Sequence, residues 1–294
     1  MGRLFLLLAC MGWQVLPLTA AERPSEQDVY WLVSDFRPFM ILSGPGAGEG
    51  YLDQAQSLFQ QLLPLYWHKS VQGNVSRRER IMQDAAEQGG QICSVTLFRT
   101  PKRERFLYFT RPYVRILPSG VIILKSLLPR FQAFRDQAGY YRLRDMLAEP
   151  GLKLGLTQQR AYGAGVDSLL ETMGETRPAH VIWRSGEDNS EGLYGMLQRG
   201  RIHYTLGYAV EEQYLYRLDK THEATVFLPL AENPGLLDAP FSCARTPWGA
   251  RTVQEVDLLL ADPALQARFQ QQYEAWLGAE ALQLYRSLLA PRMP

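Results

Sequence analysis

The sequence of 294 residues is long enough to form two lobes with separate hydrophobic cores. Its hydrophobic content of 46% and charged content of 21% are those of an ordinary globular protein, and they exclude an intrinsically disordered chain. The formal net charge of +1 gives no electrostatic reason to expect nucleic acid or an anionic membrane surface as a partner.

The N-terminal segment has the pattern of a secretory signal peptide. Arg3 precedes an apolar run over residues 4–18, and Thr19-Ala20-Ala21 supplies small residues before a polar stretch. The run is too short for a stable transmembrane helix. We therefore predict that residues 1–21 are a cleaved signal peptide and that the mature protein is periplasmic. The stretch ending at Cys10 resembles a lipoprotein cleavage box, which is the second possibility.

The next third of the chain alternates predicted strands with predicted helices. Periodicity and glycine punctuation predict strands over 29–34, 67–71 and 92–96, with helices from residue 51 and over 77–88 between them. The third strand leads into the polar turn Thr100-Pro101-Lys102-Arg103 and an aromatic run that ends at Pro112-Tyr113. Open α/β sheets bind ligands beyond the carboxyl ends of their strands, so this turn is a candidate ligand site.

The remaining segments predict a second alternating region followed by three helices. Strands are predicted over 121–124, 153–156, 181–183, 202–206 and 225–230. Helices are predicted over 143–148, from Tyr162 to Met173, around 193–197 and over 210–218. The turn over 157–160 lies between a strand and a helix N-terminus, where backbone N–H groups favour an anion. Thr246 and Asp262 each precede a proline and are predicted N-caps, and a last helix is predicted over 280–289.

Two stretches resemble family 3 extracellular solute-binding proteins. Members of that family carry a Thr-Pro-Glu-Arg turn followed by Phe-Ser-x-Pro-Tyr, and this sequence has Thr100-Pro101-Lys102-Arg103 and Phe109-Thr110-Arg111-Pro112-Tyr113. The strand that ends at Phe36 before Pro38-Phe39, and the helix start Gly50-Tyr51-Leu52-Asp53, are also similar to the family. Lys102 and Thr110 depart from the family motif.

The resemblance implies an α/β protein with the two-lobe periplasmic binding protein type II fold, in which two crossovers form a hinge. Lobe 1 would contain residues 22–118 plus 232–294, and lobe 2 would contain residues 119–231. It further implies a monomer without a cofactor that closes on a small ligand. The partner would be a membrane permease of an ABC transporter or a membrane sensor protein.

The resemblance also implies particular site residues. Arg103 matches the family arginine that clamps a ligand carboxylate, and a rigid bidentate guanidinium suits that role. The alternative is a solvated basic residue. Phe36 matches an aromatic that stacks on the ligand, and the alternative is a core phenylalanine; Thr96 and Thr100 could contact the ligand or satisfy turn backbone. The candidate ligand-binding residues are Phe36, Thr96, Phe98, Thr100, Arg103, Thr157, Arg160, Tyr162 and Tyr208.

Two cysteines remain after the predicted cleavage, Cys93 and Cys243. Two cysteines in an exported chain suggest a disulfide, although two buried free thiols are the alternative. The resemblance would place both segments in lobe 1 and therefore favours the bond.

The sequence differs from the amino-acid binders of the family at two places where those proteins contact the ligand. Phe98 stands where those proteins have a ligand-contacting threonine. They also end a late strand with an aspartate that pairs the ligand ammonium, whereas the stretch 204–208 has no carboxylate. A buried ammonium without a counter-charge is costly. We therefore predict an anionic or aromatic ligand that is not a free α-amino acid.

Enzyme signatures are weak in this sequence. The four histidines are scattered, without a pair at metal-ligand spacing, and there is no nucleophile elbow, phosphate loop or dinucleotide fingerprint. We therefore predict no metal and no catalytic residue. The runner-up is a dehydratase or lyase on the same fold, with Asp35, Glu49 and Glu187 as the acids nearest the cleft. A scaffold that has lost ligand binding is a third possibility.

Overall fold

The chain folds around two five-stranded sheets, and the computed structural model describes residues 25–158, 160–173, 178–185, 189–218 and 221–290. The strands are β1 (Asp28–Val33), β2 (Trp67–Gln72), β3 (Ile92–Ser94), β4 (Leu107–Ile116), β5 (Gly120–Leu124), β6 (Leu154–Thr157), β7 (Val181–Arg184), β8 (Tyr204–Gly207), β9 (Thr225–Leu228) and β10 (Leu237–Ala244). The helices are α1 (Tyr51–Leu62), α2 (Arg78–Glu87), α3 (Leu128–Phe131), α4 (Leu143–Leu147), α5 (Ala164–Thr172), α6 (Asn189–Gln198), α7 (Ala209–Leu218), α8 (Pro247–Leu259), α9 (Pro263–Glu274) and α10 (Ala279–Leu289). The predicted signal peptide lies outside the described residues.

Each sheet is mixed, and each defines one lobe together with the helices that cover it. The first sheet has the order β2-β1-β3-β10-β4, with β1 parallel to both neighbours and β10 antiparallel to both of its own. The second has the order β7-β6-β8-β5-β9, with β6 parallel to β7 and β8 and β5 antiparallel to β8 and β9. The α/β two-lobe architecture predicted from the resemblance is confirmed.

Strand β4 is absent from the sequence prediction, because Pro112 interrupts its middle. Proline has no N–H to donate to a ladder, so it is tolerated in strands at a sheet edge or at a bulge. Both conditions hold, since β4 is an edge strand and Pro112 lies opposite Pro240, where the register shifts. The aromatic run after the Thr-Pro turn is therefore a strand.

Side-chain caps fix the first turns of α8 and α9. The Thr246 hydroxyl accepts the Gly249 N–H at 3.0 Å, and the Asp262 carboxylate accepts the Ala264 N–H at 2.9 Å, as the sequence predicts. Helix α5, by contrast, begins at Ala164, so the prediction that Tyr162 lies within it is wrong. Gly163 separates the two with a φ of 107°, which L residues rarely adopt.

The disulfide between Cys93 and Cys243 is present in the structure. It joins β3 to β10 within the first sheet, at positions that face each other across the antiparallel ladder. Both residues are fully buried.

The chain crosses between the sheets twice, after β4 and after β9. Asn233 in the second crossover donates its side-chain amide to the Ser119 hydroxyl in the first at 3.1 Å, and to the Tyr162 carbonyl at 2.7 Å. Ser119 also donates to that carbonyl. The two crossovers are thus bonded to each other and to the segment that precedes α5, while the lobe boundaries at 118/119 and 231/232 stay predictions.

The lobes share apolar packing. One buried cluster contains Phe39 and Trp31 of the first lobe together with Ile122, Val210 and Phe227 of the second. A further cluster belongs to the second lobe alone. Among the described residues, no helix is both long enough and apolar enough to cross a bilayer.

Candidate functional site

A buried ion pair lies at the boundary between the lobes. Arg160, in the turn after β6, donates from Nη1 to Glu211 Oε1 at 2.8 Å and from Nη2 to Oε2 at 2.6 Å. The side chains are only 10% and 2% exposed. Burial lowers the pKa of Arg160, but the Glu211 carboxylate more than offsets this, so the pKa is raised above its ordinary value. Arg160 is therefore held as a fully charged, bidentate cation.

Glu211 uses both carboxylate oxygens for further bonds. Its Oε2 accepts the backbone N–H of Tyr208 at 2.8 Å, and its Oε1 accepts the Ser190 hydroxyl at 2.8 Å. The bond from Tyr208 follows from sequence, because an acid in the first helical turn reaches back to the residue before the helix. The end of β8 thus carries a carboxylate after all, supplied from the first turn of α7.

Three aromatic rings surround the guanidinium of Arg160. Its Cζ atom lies 5.4 Å from the ring centre of Phe36, 5.3 Å from that of Tyr162 and 5.7 Å from that of Tyr208. These distances are those of cation–π contacts. Phe36 comes from the first lobe and both tyrosines from the second. We refer to Phe36, Tyr162, Tyr208 and Glu211 as the Arg160 cage.

On the first-lobe side of the cage, Phe36 packs against the ring of Phe39. Phe36 stacks on Phe39 with ring centres 4.9 Å apart, and Phe39 meets Tyr208 edge-on at 5.5 Å. Offset and edge-on aromatic pairs stabilise beyond the apolar area they bury. The Phe36 ring is therefore fixed against the second lobe.

Arg103 is partly buried and bonded within its own lobe. Its Nη1 donates to the Phe98 carbonyl at 2.9 Å and its Nε donates to Glu79 Oε2 at 3.2 Å. Lys102 pairs with the same carboxylate of Glu79. The Thr100 hydroxyl accepts the Arg103 backbone N–H at 3.2 Å, so it closes the turn that presents Arg103.

Arg78 is a partly buried cation that the sequence motifs do not indicate. It begins α2, and its one hydrogen bond within the described residues runs from Nε to the Val75 carbonyl at 3.3 Å. No acidic residue among the described residues forms an ion pair with Arg78. Burial and then the positive charge of Arg103 lower the pKa of Arg78 to about 10, while Tyr208 opposes the shift. Arg78 is therefore within electrostatic reach of Arg103 and of Tyr208 in the other lobe.

Hydroxyl groups follow two of the parallel strands. Ser34 after β1 and Thr157 at the end of β6 are 1% and 7% exposed, and neither hydroxyl oxygen has a hydrogen-bond partner among the described residues. Thr157 does donate its backbone N–H to the Tyr162 hydroxyl at 2.9 Å. Buried hydroxyls normally have partners. Their position beyond the strand ends is where an open α/β sheet receives a ligand.

Eight of the nine predicted ligand-binding residues fall into two groups. Phe36 of the first lobe meets Arg160, Tyr162 and Tyr208 of the second lobe at the lobe boundary, and Thr157 bonds to Tyr162 there. The turn over 157–160 was predicted to favour an anion, but the anion that Arg160 binds is the chain's own Glu211. Phe98, Thr100 and Arg103 form the first-lobe group. Thr96 shares a hydrogen bond of 2.9 Å with the Ser94 hydroxyl.

Of the acids considered for catalysis, Glu49 is exposed. Asp35 is exposed and accepts the Leu42 N–H at 3.3 Å, while Glu187 lies outside the described residues. Glu211 was not predicted because it lies three residues beyond 204–208, the stretch that corresponds to the family's aspartate. The signal that could have found it is its place in the first turn of the helix that follows.

Comparisons with known proteins give structural relatives only. No family model matches the sequence, and no curated protein matches it either. Among solved structures, a putative L-cystine ABC transporter protein from Listeria monocytogenes is 16% identical, with a TM-score of 0.58, over 86% of this chain and 97% of that one.

Two further structures widen the range of roles among the relatives. An ancestral amino-acid-binding protein, described as a precursor of cyclohexadienyl dehydratase, is 16% identical with a TM-score of 0.56 over 86% of this chain and 96% of that one. A histidine kinase sensor domain similar to periplasmic binding proteins is 14% identical with a TM-score of 0.56 and the same coverage. The chain therefore has the two-lobe fold of the periplasmic binding proteins, as its sequence motifs indicate.

Proposed function

We propose that this protein is a periplasmic solute-binding or sensor module that receives a small anionic molecule between its two lobes. The observation that carries the proposal is Arg78, a partly buried cation without an acidic partner in the described part of the chain. A desolvated charge without a counter-charge is costly. A ligand carboxylate between Arg78 and Arg103 would supply the missing charge.

The charges around the cleft agree with an anionic ligand. Glu211 is fully used by Arg160, and Glu79 is shared by Arg103 and Lys102. Neither carboxylate is left to neutralise Arg78. In this group of described residues, Arg78, Lys102 and Arg103 share the single carboxylate of Glu79, and a ligand anion would balance the remaining positive charge.

The remaining groups favour an organic anion over a bare inorganic one. The Phe36 and Tyr208 rings offer apolar faces, and the Ser34 and Thr157 hydroxyls lack partners within the described residues. Most small-molecule sites are apolar with a few polar groups that fix orientation. A carboxylic acid with an aromatic or otherwise apolar body fits this set. The two crossovers would act as the hinge on which the lobes close.

The membrane partner is inferred from the relatives. Their names include components of amino-acid ABC transporters and a sensor domain of a histidine kinase. By analogy, the closed form of this protein would be recognised by a membrane permease or a membrane sensor.

Thermal unfolding against a panel of carboxylic acids, amines and α-amino acids tests the proposal. A ligand at a hundred times its dissociation constant adds about 2.7 kcal/mol to the folded state, which is a clear rise in the midpoint. We expect hits among carboxylic acids, and we expect Arg78→Gln and Arg103→Gln to lose them.

The matched control is Arg80→Gln. Arg80 lies on the same helix as Arg78, but its side chain is 77% exposed and paired with Asp84. The Arg80→Gln substitution should leave the binding of every hit unchanged. Hits confined to α-amino acids, or carboxylic acids that bind Arg78→Gln as well as the unchanged protein, would overturn the proposal.

A further inference from the structure

We infer that Arg160 is a built-in substitute for the ammonium or guanidinium group of a ligand, and that the Arg160 cage is a cation site which the chain fills itself. The evidence for the cage is its own contacts, which do not depend on the proposed function. Its consequence, the class of ligand that the cleft accepts, rests on the proposed function.

The cage has the groups with which proteins bind a free organic cation. Aromatic faces attract a guanidinium through their quadrupole, and a carboxylate binds it through two parallel hydrogen bonds. Here three ring centres lie 5.3 to 5.7 Å from Cζ of Arg160, and both oxygens of Glu211 accept from it. The same groups without the Arg160 side chain would form an empty site of matching shape and charge.

The cage spans the lobe boundary and reaches the crossovers. Phe36 belongs to the first lobe, whereas Glu211, Tyr162 and Tyr208 belong to the second. The Tyr162 carbonyl accepts the Asn233 side-chain amide at 2.7 Å. A cation in the cage therefore joins the two lobes next to the hinge, and Arg160 provides this contact without a free cation.

The filled cage determines which ligands the cleft excludes. Glu211 already accepts from Arg160, from the Tyr208 N–H and from Ser190. No lone pair in good geometry remains on it for the ammonium of an α-amino acid. An amine placed against Glu211 would thus lack that carboxylate as its counter-charge, which is costly, whereas an anion would find Arg78. Arg160 is a specificity-determining residue in this sense.

Chemical rescue of Arg160→Ala tests the inference. The substitution removes a fragment equivalent to ethylguanidinium, so ethylguanidinium is the probe and neutral N-ethylurea is its isosteric control. We expect ethylguanidinium to bind Arg160→Ala by calorimetry at least about tenfold more tightly than the unchanged protein, and to raise only the variant's thermal midpoint. N-ethylurea should do neither.

Two further variants keep the test decisive if Arg160→Ala is poorly folded. Ethylguanidinium should then restore its folding transition, and adding Glu211→Gln should abolish the rescue. Arg142→Ala removes an arginine from an exposed pair with Asp145 and should show no rescue. Equal effects of the probe on Arg160→Ala and Arg142→Ala, or equal effects of ethylguanidinium and N-ethylurea, would overturn the inference.

The probe contains no carboxylate, so this test is independent of the anion test. Rescue in a protein that binds no carboxylic acid would support the cage and refute the proposed function. Anion binding without rescue would support the proposed function and refute the cage. Gain of α-amino-acid binding by Arg160→Ala, with the unchanged protein still selecting acids, would support both.

Discussion

Replacing Arg78 with glutamine should stabilise the ligand-free protein while abolishing anion binding. A cation whose pKa is lowered by folding is disfavoured in its charged form in the folded state. Between neutral pH and its folded pKa it therefore opposes folding, because the unfolded chain binds the proton more tightly. Glutamine keeps a polar but shorter side chain and removes that charge.

The expected gain follows from the environment of Arg78. Its pKa is about 10, against an ordinary arginine value of about 12.5, and each pKa unit corresponds to about 1.4 kcal/mol. The upper limit is therefore about 3 kcal/mol, and partial exposure to solvent reduces it. Loss of the Nε hydrogen bond to Val75 costs about 1 kcal/mol. We expect a net gain of about 1–2 kcal/mol in the free energy of unfolding.

Urea unfolding at pH 7 measures this difference. Arg80→Gln, on the exposed face of the same helix, should lose no more than about 0.5 kcal/mol with its surface ion pair. A fall of more than about 1 kcal/mol in Arg78→Gln would refute the reasoning. Equal changes in the two variants would refute it as well, because Arg78 would then be an ordinary helix residue.

Three further predictions concern the scaffold. Replacing both Cys93 and Cys243 with alanine opens a loop of 150 residues. The free energy of unfolding should fall by about 5 kcal/mol in the chain-entropy model, and the urea m-value should rise. A fall below about 1 kcal/mol would contradict the prediction. Thr246→Ala should cost about 1 kcal/mol in urea unfolding, whereas Thr246→Ser keeps the cap and should match the unchanged protein. Burial and then nearby positive charges lower the pKa of His203, whose Nδ1 accepts the Lys153 N–H at 2.8 Å. The stability contribution of His203 should therefore be complete above pH about 6.5 and decline below it. Thermal midpoints at pH 7.5 and 5.5 should show a smaller fall in His203→Gln than in the unchanged protein, and equal falls would contradict the assignment.

The sequence predicted most of the fold because its signals are local. Strand periodicity, glycine stops and the caps at Thr246 and Asp262 depend on residues that are close in the chain. Strand β4 escaped prediction because Pro112 breaks its pattern, and its place in the sheet depends on pairing with β10, which lies more than a hundred residues away. That pairing is a tertiary contact that no local window contains.

Part of the candidate site was also predictable from local signals. Motifs and strand ends identified Phe36, Arg160 and Tyr208 as residues near the cleft, because each follows a strand. Their partners were not predictable, since Arg160 meets Glu211 across 51 residues of chain. Arg78 belongs to a run of charges that resembles a solvated helix face, and its lack of an acidic partner among the described residues is a property of the folded surroundings alone.

Arg78 and Arg160 carry the same charge in the same cleft, but their surroundings differ. Arg160 has its own carboxylate and an aromatic cage, so it needs nothing from outside the chain. Arg78 has neither among the described residues, and Arg103 beside it makes its charge still more costly. A chain selected only for stability would replace such a residue at little loss, so its presence is best explained by a ligand that supplies the counter-charge. The surroundings of the two arginines thus support the proposed ligand, one that brings a negative charge and lacks a positive one.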